Sequence, residues 1–196
     1  MNTDLMFSSK NSKWETDPEL LEKLAPAFTW DIDVCAERNN VCDNFITPKM
    51  DAFSESSQKL MRGTCWMNPP YTRGIIDWLE LAINNECYNP HRETLFVCLV
   101  PARTDTVWFQ SVVGRASFIT FIKGRLKFGS DEYWVSHWHK KFDKGKITER
   151  ELESRISHPV TKEPAPFPSA LLTFGPINED QMELMQTLGW SVDWGR

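Results

Sequence analysis

The chain lacks several features that would have placed it in a simple class. Its 196 residues include only nine glycines, and no glycine-rich GxG loop occurs among them. No apolar run approaches the roughly 20 residues of a membrane span, and the amino terminus lacks a signal-peptide core. The five cysteines form no CxxC pair, which predicts reduced thiols and a soluble, cytoplasmic protein. His137 and His139 lack partners at metal-ligand spacing, so no metal site is expected.

An excess of positive charge is also missing. The formal net charge is −5 at pH 7, which excludes a histone-like protein that binds nucleic acid by charge alone. An enzyme with a local basic groove remains compatible with this charge. Nine tryptophans are present, more than packing requires, and some of them are expected to form a stacking surface. The length predicts a single domain over residues 1–196.

Strand and helix patterns alternate along the chain. Residues 94–102, TLFVCLVPA, are apolar without alternation, as in a strand that is covered on both faces. Helices are predicted at 16–25, 74–86, 104–113 and 178–189, with Thr104 and Asn178 as the caps of the last two. Shorter strands are predicted at 28–36, 42–47, 63–67, 116–124, 125–129, 169–175 and 190–194. This order predicts an α/β fold with a mostly parallel sheet flanked by helices.

One polar segment, residues 130–168, interrupts the alternation. It is rich in charge and ends in alternating prolines. Within it, TERELESRI at 148–156 predicts a short helix. Insertions of this length in a compact domain are usually functional or mobile, so we interpret the segment as an appendage on the main sheet.

The most informative stretch is Asn68-Pro69-Pro70-Tyr71, which follows an apolar strand and precedes a helix. The two prolines lack N–H donors and must end the strand, at the sheet edge where open α/β folds bind ligands. The Asn68 side chain and the Pro69 carbonyl are both acceptors, and together they can take two hydrogen bonds from one exocyclic amine. The Tyr71 ring can stack on a base, which is worth about 1–3 kcal/mol.

The simpler interpretation is that this tetrapeptide is only a helix-start turn with a core tyrosine. Its position at the end of an apolar strand in an α/β chain favours the functional interpretation.

These residues match the catalytic motif of S-adenosylmethionine-dependent amino methyltransferases, and the whole chain resembles the phage-type DNA N6-adenine methyltransferases (the phage Dam family). The matching pieces run in one order along the chain: W-x-T-x-P from Trp14, D-x-D-x-C-A from Asp31, D-A-F from Asp51, W-x-N-P-P-Y from Trp66, V-P-A-R-T-D-T-x-W-F from Val100, G-R-L-K-F from Gly124 and A-P-F-P-S-A-L from Ala165. The resemblance implies a Rossmann-like methyltransferase fold, S-adenosylmethionine as cofactor and double-stranded DNA as substrate, with the target adenine flipped into the Asn68–Tyr71 pocket.

The resemblance also implies which residues bind the cofactor. Thr16 and Pro18 match an amino-terminal cofactor motif, although Thr16 is also placed to cap the first helix. Asp31 and Asp33 suit the cofactor's ammonium or ribose hydroxyls, and an Asx turn is the alternative for them. The remaining expected cofactor residues are Cys35, Ala36, Asp51 and Asn68.

Basic residues near the same edge are expected to contact DNA. Arg103 follows the central strand, and Lys123, Arg125 and Lys127 alternate along a predicted strand. The insertion adds further lysines, but interleaved acidic residues favour a solvated face there. Two alternatives remain at this level: a methyltransferase acting on rRNA or protein glutamine, and a non-catalytic nucleic-acid-binding module. Monomer and dimer are both open.

Overall fold

The computed structural model describes residues 15–36, 40–88 and 93–194, including all their side chains except those of 86–88. Trp14 of the amino-terminal motif lies outside these residues. The strands are β1 (Ile32–Asp33), β2 (Thr64–Met67), β3 (Leu95–Pro101), β4 (Phe118–Ile122), β5 (Ser169–Phe174) and β6 (Gly189–Asp193). The helices are α1 (Pro18–Leu24), α2 (Glu55–Gln58), α3 (Ile75–Tyr88), α4 (Val107–Val113), α5 (Asp131–Asp143), α6 (Glu149–Ile156) and α7 (Glu179–Leu188).

A six-stranded sheet in the order β1-β2-β3-β5-β4-β6 forms the centre of the fold. The apolar side chains of β3 alternate between two cores, because successive residues of a strand point to opposite faces. Phe96, Cys98 and Val100 pack with residues of α3 and α4. Leu95, Val97 and Leu99 pack with residues of α1 and α7. Helices therefore cover both faces of the sheet, as the uninterrupted apolar run predicts.

The predicted α/β class is confirmed, but a mostly parallel sheet is not. Among the paired strands of the described residues, β1–β2 and β2–β3 are parallel, whereas β3–β5, β4–β5 and β4–β6 are antiparallel. The reason is the long connection after β4. It returns to the sheet at Ser169, which pairs with Pro101 at the carboxyl end of β3. Because β5 starts at the edge where β3 and β4 end, it is antiparallel to both strands.

Several element bounds also differ from the sequence prediction. The strand predicted at 125–129 is absent, because β4 ends at Ile122 and this stretch pairs with no strand. The strand predicted at 42–47 is reduced to a single bridge between Asp33 and Phe45. Residues 131–143, for which the sequence predicts no element, form α5.

Helix caps are displaced from the predicted residues in two cases. Asp17, not Thr16, caps α1, and Thr106, not Thr104, caps α4. The predicted cap of α7 at Asn178 is confirmed, with a full capping box. In the described part of the chain, no helix has both the length and the apolar character needed to span a bilayer.

Asp17 ties α1 to the segment that follows β4. One carboxylate oxygen accepts a hydrogen bond from the Glu19 N–H, and the other accepts one from the Lys127 N–H at 2.9 Å. Nearby, the Gly129 N–H donates to the Glu15 carbonyl. The side chain of Asp17 is only 5% exposed, so these bonds are shielded from water. They hold the chain entering α5 against the chain entering α1.

We expect Asp17→Ala to lower the free energy of unfolding by about 2–4 kcal/mol. The change removes a helix cap, worth about 1 kcal/mol, and leaves the Lys127 N–H without its charged acceptor, worth about 1.5–3 kcal/mol. Urea unfolding measures the loss. Asp180→Ala, at an exposed first-turn position of α7, is the matched control and should cost under about 1 kcal/mol. Equal losses in the two variants would contradict the proposed link.

Candidate active site

The turn at residues 68–71 lies at the carboxyl end of β2. Met67 is the last residue of the strand and is fully buried. The following residues cannot extend the ladder, because Pro69 and Pro70 have no N–H to donate. The chain then enters α3, which buries Ile75, Leu79 and Ile83. This strand–turn–helix arrangement is the one that the sequence predicts.

Thr16 orients the Asn68 side chain. The Asn68 Nδ2 atom donates a hydrogen bond to Thr16 Oγ1 at 3.2 Å, and the Trp66 indole N–H donates to the same oxygen at 3.2 Å. An indole nitrogen is only a donor, so Thr16 must act as the acceptor there. The bond to Nδ2 fixes the amide plane and turns its oxygen away from Thr16. Thr16 thus supports the motif residue, a role that the sequence does not predict.

Tyr71 bridges the two cores at the same edge. Its hydroxyl donates to the Leu99 carbonyl at 3.3 Å. Phe128 and Phe167 meet its ring edge-on, with centroids 6.1 and 5.6 Å away. Burial raises the pKa of Tyr71 well above its usual value near 10, and the nearby Cys35 thiol raises it further. The ring is only partly buried, so its anchored hydroxyl leaves part of its surface accessible.

A cavity of about 250 Å³ opens beside the turn. It is lined by Val34, Cys35, Ala36, Ile46, Thr47, Pro48, Asp51, Ala52, Phe53, Pro70 and Trp78. The lining is mostly apolar, with Asp51 as a carboxylate acceptor. Asp51 has a positive φ of 55°, and its Oδ1 accepts from the Phe53 N–H. This volume is slightly below the roughly 300–1,000 Å³ that is usual for small-molecule sites, so the cavity has room for only part of a larger ligand.

Two aromatic residues of this cavity were not predicted. Phe53 and Trp78 meet edge to face with centroids 4.8 Å apart, and Phe53 is 42% exposed. Trp78 lies beside the apolar stripe of α3 rather than within it, which is the sequence signal that could have identified it. For Phe53 the corresponding signal is its place in the D-A-F match that begins at Asp51.

The expected cofactor residues separate into four groups. Cys35, Ala36 and Asp51 line the cavity, whereas Thr16 contacts Asn68. Pro18 is exposed at the first position of α1.

Asp31 and Asp33 make internal contacts instead. Asp31 lies before β1, at the opposite edge of the sheet, where its carboxylate accepts the Thr64 N–H at 2.7 Å. The buried Asp33 carboxylate accepts the N–H groups of Cys35 and Val41. Burial raises the pKa of Asp33, and these two backbone hydrogen bonds oppose the rise. The structure does not bring either aspartate to the cavity wall.

The expected DNA-contacting residues all follow the carboxyl ends of strands. Arg103 lies in the loop after β3, and Lys123, Arg125 and Lys127 are exposed in the segment after β4. That segment alternates exposed residues with the buried Leu126 and Phe128, although it is not a strand. Within residues 15–36, 40–88 and 93–194, no group of three or more His, Cys, Asp or Glu side chains is arranged to hold a metal ion.

Comparison with known proteins gives a consistent result. A family model described as DNA N-6-adenine-methyltransferase (Dam) matches residues 4–149. A DNA N-6-adenine-methyltransferase of Haemophilus phage HP1 is 33% identical over 105 residues, covering 53% of this chain and 57% of that protein. One of Escherichia phage T1 is 29% identical over 115 residues, covering 58% of this chain and 45% of that protein. The chain therefore matches about half the length of these curated relatives. No solved structure matches it.

We expect Tyr71→Phe to leave the alkaline absorbance titration of the folded protein unchanged up to about pH 10. The reason is that the buried Tyr71 hydroxyl stays protonated there. Its loss should lower the free energy of unfolding by about 1 kcal/mol at pH 7. The unfolded wild-type chain releases this proton near pH 10, while the folded chain keeps it. The wild-type free energy of unfolding therefore falls above that pH, and its difference from that of Tyr71→Phe becomes smaller. A native tyrosinate at pH 10 that the variant lacks would contradict this.

Proposed function

The chain belongs to the DNA N-6-adenine-methyltransferase (Dam) family, and from this membership we propose that it transfers a methyl group from S-adenosylmethionine to the N6 amine of an adenine in double-stranded DNA. Base flipping gives such an enzyme access to an atom inside a duplex. The observation that carries the proposal is the anchored turn of Asn68 and Tyr71 beside a cavity of about 250 Å³.

The residues of the cavity suit the nucleoside part of the methyl donor. Apolar walls from Ala36 and Trp78 suit a purine ring, and the Asp51 carboxylate can accept from its amino group. Bound S-adenosylmethionine supplies an electrophilic methyl group on a sulfonium. Cys35 and Ala36 let the backbone after β1 approach the ligand closely, because both side chains are small. We assign Cys35, Ala36 and Asp51 to donor binding.

Asn68 and Pro69 activate the target amine in this proposal. The adenine amine is a poor nucleophile because its lone pair is conjugated with the ring. When the Asn68 side-chain oxygen and the Pro69 carbonyl accept its two hydrogens, the nitrogen becomes more pyramidal and its lone pair is freed. Thr16 holds the amide in the required orientation before substrate arrives, and pre-oriented acceptors cost no reorganisation during the reaction.

Tyr71 captures the flipped base in this proposal. Its hydroxyl is held by Leu99, and Phe128 and Phe167 support the ring from its edges. A ring so held presents a fixed surface for stacking, which is worth about 1–3 kcal/mol per base. No general base is required, since the amine can lose its proton to water after the transfer. The alternatives of an rRNA or protein acceptor, or of a non-catalytic module, have no specific support in the site.

The direct test is radiolabelled methyl transfer from S-adenosylmethionine to unmethylated DNA, RNA and a protein mixture in parallel. For Asn68→Ala we expect kcat on DNA to fall by about 10²–10³-fold, the usual cost of removing one pre-oriented polar group. Donor binding, followed by calorimetry, should change little. Asn84→Ala, at an exposed position of α3, controls for loss of an asparagine. Near-normal methylation by Asn68→Ala would remove the acceptor role.

Substitutions of Thr16 test whether its hydroxyl orients the Asn68 side-chain amide. Thr16→Val keeps the shape and removes the acceptor, so it should lower kcat more than it changes KM. Thr16→Ser keeps the hydroxyl and should restore most of the rate. Equal rates for these two variants would show that the hydrogen bond does not orient Asn68.

We expect Asp51→Asn to weaken S-adenosylmethionine binding by about tenfold, which corresponds to about 1.4 kcal/mol. Asparagine tolerates the positive φ and keeps an oxygen for the Phe53 N–H, so the turn survives while the acceptor facing the cavity is lost. Calorimetry measures the affinity. Asp105→Asn, in the loop after β3, is the matched control and should bind normally. Unchanged affinity in Asp51→Asn would exclude Asp51 from the donor site.

A further inference from the structure

The two helices of the insertion form a separately packed unit, the α5–α6 hairpin (residues 131–156). Trp134, Trp138 and Leu152 make its own small core, distinct from the two cores of the sheet. The Trp138 indole N–H donates to the Thr161 carbonyl at 2.7 Å, which ties the hairpin to the chain leaving it. A polar segment with a defined core is a structured element rather than a loose loop.

The hairpin stands at the same sheet edge as the 68–71 turn. The chain enters it after the carboxyl end of β4 and leaves it to start β5 opposite Pro101. The Trp134 indole N–H donates to the Phe128 carbonyl at 2.8 Å, and the Phe128 ring contacts Tyr71. Phe128 therefore connects α5, through Trp134, to the Tyr71 ring that we assign to base capture.

Charges are distributed unevenly over the hairpin. At its base, Lys162 pairs with Asp131 at 3.0 Å, and further along α5 Lys141 pairs with Glu163 at 3.0 Å. The hairpin tip, residues 139–150, contains five lysines and arginines against two acidic residues. Within the described residues, its exposed cations form no ion pair; they are Lys140, Lys144, Lys146 and Arg150.

The acidic residues of α6 lower the positive charge of this tip without cancelling it. Glu151 keeps its negative charge beside the tip, where its carboxylate accepts from the Thr148 N–H and hydroxyl in a capping box. The five cations of residues 139–150 still outnumber Asp143, Glu149 and Glu151 together. Glu153 lies further along α6, beyond residues 139–150. The whole chain has a net charge of −5, but the exposed cations make the hairpin tip locally positive. A locally positive surface attracts a polyanion.

We propose that the hairpin tip binds the phosphate backbone of the DNA that flanks the target adenine. The inference rests on the proposed function, because it presumes that the substrate is duplex DNA. The 13 residues of α5 extend about 20 Å at 1.5 Å per residue, the length of about six base pairs at 3.4 Å each. The tip therefore contacts phosphates several base pairs from the flipped base, positioning the duplex without reading its sequence.

The test compares long and short duplexes. Lys140→Glu/Lys144→Glu should weaken binding to a duplex with about fifteen flanking base pairs per side by about tenfold. It should also make the fall of the logarithm of the association constant with the logarithm of salt concentration less steep, by about two units of slope. Binding to a duplex with about three flanking base pairs should change less than about twofold. Fluorescence anisotropy measures both affinities, and methyl transfer gives KM for each duplex.

Matched variants keep the test decisive. Lys59→Glu/Arg62→Glu makes the same charge change in the segment before β2, at the other edge of the sheet, and should not affect either duplex. Lys140→Gln/Lys144→Gln removes charge without reversing it and should act in the same direction, more weakly. Calorimetry with S-adenosylmethionine verifies that each variant is folded.

Two results would overturn the proposal: unchanged affinity for the long duplex, or equal losses for hairpin and control variants. Neither result would affect the proposed function if the wild-type protein methylates adenine. Absence of methyl transfer to DNA by the wild-type protein would instead refute the proposed function itself.

Discussion

The hydrogen bond between the Asn68 amide and the Thr16 hydroxyl is the interaction on which the site depends. It joins the chain entering α1 to the chain leaving β2, residues 52 positions apart in sequence. The Trp66 indole N–H donates to the same acceptor. Hydrogen bonds to the Thr16 Oγ1 atom therefore join β2 and the 68–71 turn to the segment before α1. Pro69 and Pro70 add stiffness from within the turn. The orientation of this amide is therefore set within the protein itself, as its proposed acceptor role requires.

A second constraint is the reversed direction of β5. Because β5 enters the sheet at Ser169, opposite Pro101, residues 123–168 must begin and end at the edge that carries the turn. Phe128 and Phe167 lie near the two ends of this stretch, and both contact Tyr71. The antiparallel strand thus builds the aromatic support of the site, which a wholly parallel sheet would have placed elsewhere.

Local sequence patterns predicted the elements whose structure is specified by the residues of one short segment. The apolar run of β3 and the stripe of α3 are of this kind, and so is the turn at Asn68. Parts that depend on distant partners were missed. The polar helix α5 is stabilised by Trp134 and Trp138 packing on Leu152, a partner that lies on another helix, α6. Residues 125–129 alternate like a strand, but the Lys127 N–H bonds to the distant Asp17.

The site was predictable to a similar extent. The motif residues and the lining residues Cys35, Ala36 and Asp51 follow from sequence position or resemblance. Asp31 and Asp33 did not reach the cavity, since backbone N–H groups of Thr64 and Val41 occupy their carboxylates. Those partners depend on how loops fold back on β1, which the alternation of residue types does not encode.

The two ends of the 123–168 stretch lie on neighbouring strands, since β4 pairs directly with β5. A segment whose ends are already adjacent can be lengthened, shortened or exchanged without altering the strand pairing around it. Natural variation among relatives can therefore accumulate there while the turn and the cavity stay constant. The fold therefore keeps the turn and the cavity separate from a stretch that can change without disturbing the sheet.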